Sequence, residues 1–202
     1  MNASRPWIVA TLLAGLLVAC ASSPSPAPVL LTLPPAVAAA AVAPSAPASA
    51  PLLAVRRIAI PEYLVARRVR YRADASTLAE WPNPDWAERI EIGISREFVA
   101  ALHQQLPGWA MCETNCGDQV PALTLQVELV PLDYLRSAQK LQARARITLS
   151  GAGVAPTVLQ VQELAYDIAS SGDSAQAQSQ AMAKLIEQVA AAAAPMIRAT
   201  KP

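Results

Sequence analysis

Histidine is almost missing from this 202-residue chain, with His103 the only one. A Ser-His-Asp triad would have to be built on that residue, and a site with several histidine ligands cannot be built at all. His103 falls on the polar flank of an apolar helical pattern, close to Arg89 and Arg96 in projection, where a surface histidine belongs. Aromatic residues make up only 4% and the formal net charge is +1, so the chain offers neither base-stacking platforms nor a basic footprint for nucleic acid. No Gly-x-Ser-x-Gly elbow and no phosphate-binding glycine loop occurs. Past the N-terminus no apolar run reaches transmembrane length, Ala190 to Ala194 being a patch within a longer amphipathic pattern. The 53% hydrophobic content is inflated by alanine tracts and by the first residues of the chain. These absences point away from an enzyme. No catalytic residue, metal or cofactor is expected beyond a covalent lipid.

That lipid is expected on Cys20. A short segment with one cation, Arg5, leads into an uncharged apolar run from Trp7 to Val18, the length of a signal-peptide core and too short to span a bilayer. Leu17-Val18-Ala19-Cys20 resembles the lipobox of bacterial lipoproteins. Its thiol would accept a diacylglyceryl group, and the small residue before it would admit the signal peptidase. Residues 1–19 then leave as a signal peptide, and two or three acyl chains hold the remainder stably, since each buried methylene contributes roughly 0.8 kcal/mol. The polypeptide is expected outside the cytoplasm, under oxidising conditions. From Cys20 to Pro51 the composition is Pro, Ala and Ser, too poor in apolar surface to offset its ordering entropy, and it reads as a tether. Where extended it reaches roughly 3 Å per residue. Val29-Leu30-Leu31-Thr32-Leu33 is the exception, a candidate short strand docking on the domain.

The folded domain, residues 52–202, is large enough for one core. Val55 to Ile60 reads as a strand halted or bulged at Pro61. Arg68 to Arg72 alternates, with Val69 and Tyr71 on one face. Asn83, Pro84 and Asp85 carry the marks of a helix start, followed by Trp86, Ile90, Ile94, Phe98, Leu102 and Leu106 at four-residue spacing, with Pro107-Gly108 as the stop. In that frame Asp85, Glu88 and Glu91 answer the helix macrodipole and need no acid–base role. Leu123 to Leu129 and Leu141 to Leu149 alternate as strands buried on one face. Thr157 to Ile168 is a third strand whose apolar parity switches between Gln162 and Leu164, implying a bulge or a change of face. Ser171-Gly172-Asp173-Ser174 is a capping turn before a helix with Met182, Leu185, Ile186, Val189, Ala193 and Met196 on its apolar side. The sum is an α+β fold, an antiparallel β-sheet with two α-helices packed on one face.

Cys112 and Cys116 remain as an even pair, expected to form a disulfide contributing about 2 kcal/mol for so short a ring. A metal or redox site is the competing reading, but the spacing is not C-x-x-C and no further ligands accompany it. Arg56, Arg57, Arg67, Arg68, Arg70 and Arg72 form the one notable charge cluster. It reads either as a solvated strand face or as a surface for anionic headgroups or an acidic partner, with Glu62, Asp74 and Glu80 diluting its field.

Val55-Arg56-Arg57-Ile58-Ala59-Ile60-Pro61-Glu62-Tyr63-Leu64, then Tyr71, Trp86-Ala87 and Leu106-Pro107-Gly108-Trp109, resemble in order and spacing the opening of the PqiC/YmbA family. These are auxiliary lipoproteins of ABC-type and MCE-type intermembrane transport systems. The match covers Val55 to Trp109, and the later elements fit in pattern. The chain departs from the family in having Leu30 and Leu31 where aromatics are common, in its long tether and in its cysteine pair. The resemblance implies a non-enzymatic role beside an MCE-domain periplasmic protein and its membrane components. It further implies an outer-membrane, periplasm-facing location, with which Ser22 after Cys20 is compatible. A candidate surface for that partner is the corner and arginine face at Pro61, Tyr63, Leu64, Arg67, Arg68, Arg70 and Arg72, and self-association stays open. Rival classes are an envelope-biogenesis adaptor, of the penicillin-binding-protein activator or lipopolysaccharide-assembly type, and a lipid-modifying enzyme, which would need a nucleophile and base.

Overall fold

The computed structural model describes Ala27, Pro47 and residues 29–35, 49–113, 116–152 and 157–200. The signal segment 1–19, Cys20, Ser22 and most of the proline-rich stretch lie outside these residues. The described chain runs β1 (Val29–Leu31), β2 (Leu52–Val55), β3 (Arg68–Arg72), β4 (Leu78–Trp86), α1 (Ile90–Gln105), β5 (Ala110–Cys112), β6 (Leu123–Leu135), β7 (Lys140–Gly151), β8 (Val158–Ala169) and α2 (Ala175–Ala199). The fold is α+β, with one eight-stranded sheet.

The long meander β6-β7-β8 is antiparallel, as the alternation implied. Leu123, Leu125, Val127 and Leu129 of β6 and Leu141, Ala143, Ala145, Ile147 and Leu149 of β7 are all buried, while the residues between them face outward. Pro131 in Val130–Pro131, a cis bond, does not end β6; the register to β7 shifts between Leu129 and Leu132 and the strand continues to Leu135. The rest of the sheet is mixed rather than antiparallel. β2 lies parallel to both β5 and β6, β1 parallel to β4, and β3 meets the end of β6 in parallel at Arg72 and Leu135. Chain that crosses over through α1 between β2 and β5 returns in the same direction, which local alternation does not reveal.

Val29–Leu31 is a strand, paired with Pro84, Asp85 and Trp86. Leu31 and Leu33 enter the core, and a Cβ at Gly93 would meet Leu33 Cδ1 at 3.5 Å and Glu88 Oε1 at 3.3 Å. The small residue in α1 thus lets the N-terminal segment settle closely against the helix.

The helix start inferred at Asn83 is corrected. Residues 83–86 are the end of β4, and α1 begins at Ile90 after Arg89, whose side chain makes no cap bond. β1 holds one side of this stretch and Arg68, opposite Asp85, the other, so sheet pairing overrides a local cap signal. Asp85 consequently pairs with Arg67 and Arg68, not with the helix dipole. The apolar stripe survives from Ile90 through Ile94, Phe98 and Leu102 to Leu106, each at most 3% exposed. Val55 to Ile60 is also less regular than inferred. β2 stops at Val55, Ile58 turns inward with its N–H donating to Ser95 Oγ at 3.0 Å, and Ala59 rejoins β6 opposite Glu128.

In β8 the register is unbroken from Val161 to Leu164, so the parity switch is a change of face; the shift lies at the Val158–Gln160 end. Ile168 is buried and Leu164 and Tyr166 pack on the core, whereas Val158, Leu159 and Val161 are exposed. α2 starts where inferred, its Ser174 Oγ accepting from Ala177 N at 3.1 Å, and it packs on α1, β7 and β8. Cys112 and Cys116 are joined in a disulfide.

Candidate docking surface

The corner after Ile60 is a single 3-10 turn, Glu62–Leu64, entered from Pro61. Pro61 and Leu64 are buried and shape the corner from within, while Glu62 is exposed and Tyr63 is half-buried. Tyr63 fastens the corner to the sheet. Its hydroxyl donates to Asp133 Oδ1 at 2.9 Å, and Arg72 Nη2 donates to the same oxygen at 3.0 Å with its guanidinium 5.6 Å from the Tyr63 ring. Arg70 Nη1 donates to the Tyr63 carbonyl at 2.8 Å, and its Nε and Nη2 reach Glu80 Oε1, both at 3.1 Å. The structure therefore brings the predicted corner and the β3 arginines together.

It also grades those arginines by availability. Arg72 and Arg70 are engaged in the hub just described. Arg68 Nε and Arg67 Nε each stand 3.5 Å from a carboxylate oxygen of Asp85, and their side chains are 47% and 72% exposed. Surface pairs of this kind contribute little to stability and leave their charge open to a partner. Arg56 and Arg57 lie apart from the β3 row, beside Ile92 and Val99 of α1. His103 sits partly buried near the end of α1 rather than fully exposed.

Tyr63 also sets a pH response. Burial, then the Asp133 hydrogen bond and charge, push its hydroxyl above the ordinary tyrosine value, against the smaller opposing effect of Arg72. The folded state thus holds the Tyr63 proton more tightly than the unfolded chain does. The stabilisation is complete below pH about 10 and falls as pH rises from there through the folded value. Tyr63→Phe should flatten this alkaline limb in urea midpoints measured from pH 8 to 11, leaving the burial-shifted Tyr166 to account for what remains.

A second cluster carries no signature in local sequence. Arg136 stacks over Trp81 at 4.5 Å and Tyr71 at 4.9 Å, donates to the Tyr71 hydroxyl at 2.8 Å and forks onto Asp173 at 2.9 and 3.1 Å. Trp81 Nε1 donates to Gln178 Oε1 at 2.8 Å, and Gln178 Nε2 donates to the Arg70 carbonyl at 2.7 Å. Gln178 is 1% exposed, so its amide links α2, β4 and the arginine strand inside the core. The only hint was composition, tryptophan and arginine being frequent members of stacked pairs.

Residues 31–194 match the model of a family described as an ABC-type transport auxiliary lipoprotein component. The chain belongs to that family. The match begins at the last residue of β1 and ends within α2, so it takes in β2 to β8, α1 and most of α2, and the PqiC/YmbA-like assignment holds. No curated protein matches the chain significantly. Among solved structures it is similar to an uncharacterized protein at 20% identity and a TM-score of 0.67, covering 85% of this chain and 99% of that one. It is also similar to XCC0632 from Xanthomonas campestris, of the DUF330 family, at 16% identity and a TM-score of 0.58, covering 83% and 90%. The hypothetical protein CT253 from Chlamydia trachomatis follows at 8% and 0.50, covering 75% and 100%. At these identities the likeness is one of fold.

Proposed function

We propose that the chain is a non-enzymatic, lipid-anchored component of an MCE-type intermembrane lipid transport system, held at the outer membrane and facing the periplasm. Cys20 carries the anchor, the Pro/Ala/Ser segment sets the reach, and the domain docks on an MCE-domain protein. The observation that carries this reading is the family match over residues 31–194, most of the α+β domain, which makes transport accessory work the role to explain. The surface supports it. A corner pinned at Tyr63 by Asp133 and Arg72 leads into Arg67 and Arg68, whose side chains stand beside Asp85 and remain exposed to a partner. No cofactor enters this role.

Chemical crosslinking in intact envelopes, followed by affinity recovery of the chain, tests the reading. An MCE-domain protein should be recovered, and recovery should fall when Arg67 and Arg68 are both changed to glutamate. Recovery of a cell-wall synthase or a lipopolysaccharide-assembly protein without any MCE protein would place the chain among envelope-biogenesis adaptors instead.

A further inference from the structure

A cleft of about 370 Å³ opens beside the first turn of α1. Val65, Ala66, Trp86 and Ala87 give it apolar walls, and Arg67 and Arg89 flank it with side chains 72% and 64% exposed. Two carboxylates also line it, and they are not equivalent. Glu88 Oε2 accepts from Arg96 Nη1 at 2.8 Å. Glu91 is only 5% exposed; Arg89 forms an ion pair with it, yet neither carboxylate oxygen receives a hydrogen bond from any described residue.

A buried carboxylate oxygen lacking a donor is strongly unfavourable, so its chemistry calls for an N–H or O–H from a ligand. The two arginines restrict which ligand that is. A simple amine or a lysine side chain would satisfy Glu91 but meet like charge from Arg67 and Arg89. A phosphate monoester would suit those arginines and the first amides of α1, but would meet the charge of Glu91. A group carrying a primary ammonium a few atoms from a phosphodiester answers both demands, and the cleft volume lies within the range of small-molecule sites. We infer that this cleft binds a zwitterion of the phosphoethanolamine type, its ammonium donating to Glu91 and its phosphate oxygens accepting from Arg67 and Arg89. The connecting methylenes lie against Trp86 and Ala87. Arg89, on the surface, turns from Glu91 to the phosphate as the ammonium takes its place. The inference goes beyond the docking reading and stands or falls without it.

Calorimetric titration of the full chain in detergent with glycerophosphoethanolamine tests it. Binding should be at least about tenfold tighter than for glycerophosphocholine, whose trimethylammonium has no N–H to donate, and than for ethanolamine or glycerol 3-phosphate alone. Glu91→Gln should weaken binding by at least about tenfold, while Glu97→Gln, on the same helix but outside the cleft, should not. Short-chain dihexanoyl phosphatidylethanolamine separates the sources. Tighter binding than the free headgroup identifies a lipid ligand, and equal binding identifies the headgroup alone. Should Glu91→Gln fail to fold, the choline comparison on the unaltered chain decides. Equal affinity for the choline and ethanolamine forms overturns the proposal, as does preference for glycerol 3-phosphate or displacement of glycerophosphoethanolamine by an oligolysine peptide.

Discussion

Trp81→Ala should lower the unfolding free energy by about 3–5 kcal/mol, the range for removing a large buried aromatic from a core. Trp81 is 6% exposed, its ring lies 4.8 Å from Tyr71 and 6.4 Å from Tyr134, and Arg136 covers it. Its removal opens a cavity among β3, β4 and β6 and strips Arg136 of one stacking partner. Trp81→Phe separates shape from hydrogen bonding. It keeps most of the ring volume but leaves Gln178 Oε1 buried without its donor, an effect of about 1–3 kcal/mol. Urea midpoints for the two variants should therefore fall in that order. If Trp81→Ala shifts the midpoint no more than Trp81→Phe does, the stack is not part of the core.

Asp133→Ala should be the most damaging change at the docking corner. Asp133 Oδ1 receives both the Tyr63 hydroxyl and Arg72 Nη2, with the Asp133 and Arg72 side chains only 13% and 20% exposed. Removing the carboxylate leaves a mostly buried guanidinium unpaired and unties the turn from β6. Full burial of such a pair would imply about 3–5 kcal/mol, and the residual exposure reduces this to about 2–4. Asp133→Asn should be milder, because the amide oxygen still accepts from both donors. Partner recovery from crosslinked envelopes should follow the same order, because the corner that leads into Arg67 and Arg68 is loosened. Loss of partner binding with unchanged stability would instead place Asp133 in direct contact with the partner.

How far the sequence discloses this structure depends on how local each pairing is. The β6 and β7 strands and the capped helix α2 are written in period and end signals within a dozen residues, and each lies where those signals point. The short strand at Val29–Leu31 is visible for the same reason, as an apolar run in a proline-rich stretch. Asn83-Pro84-Asp85 shows the opposite case. Every local rule there describes a helix start, and the decision belongs to Leu31 and Arg68, which are distant in sequence and adjacent in the sheet. The parallel partnership of β2 with β5 and β6 is equally nonlocal. At the candidate surface, the arginine row of β3 was legible by alternation and the Pro61–Leu64 corner by resemblance. Asp133, which ties the two together, was not, because it sits in β6 beyond Pro131, a residue that ordinarily ends a strand. Glu91 was legible only as a first-turn acid, since its burial beneath Arg89 depends on how β4 delivers the chain into α1.

If a membrane-held docking domain performs the work, Cys20→Ala removes what holds it. Lipid exchange between inner and outer membranes should be measured in cells carrying the variant in place of the unaltered chain, with the variant's folding checked after fractionation. The variant domain should be folded and found in the soluble envelope fraction, and transport should fail. A soluble, unanchored Cys20→Ala chain that restores transport fully would contradict the need for the anchor.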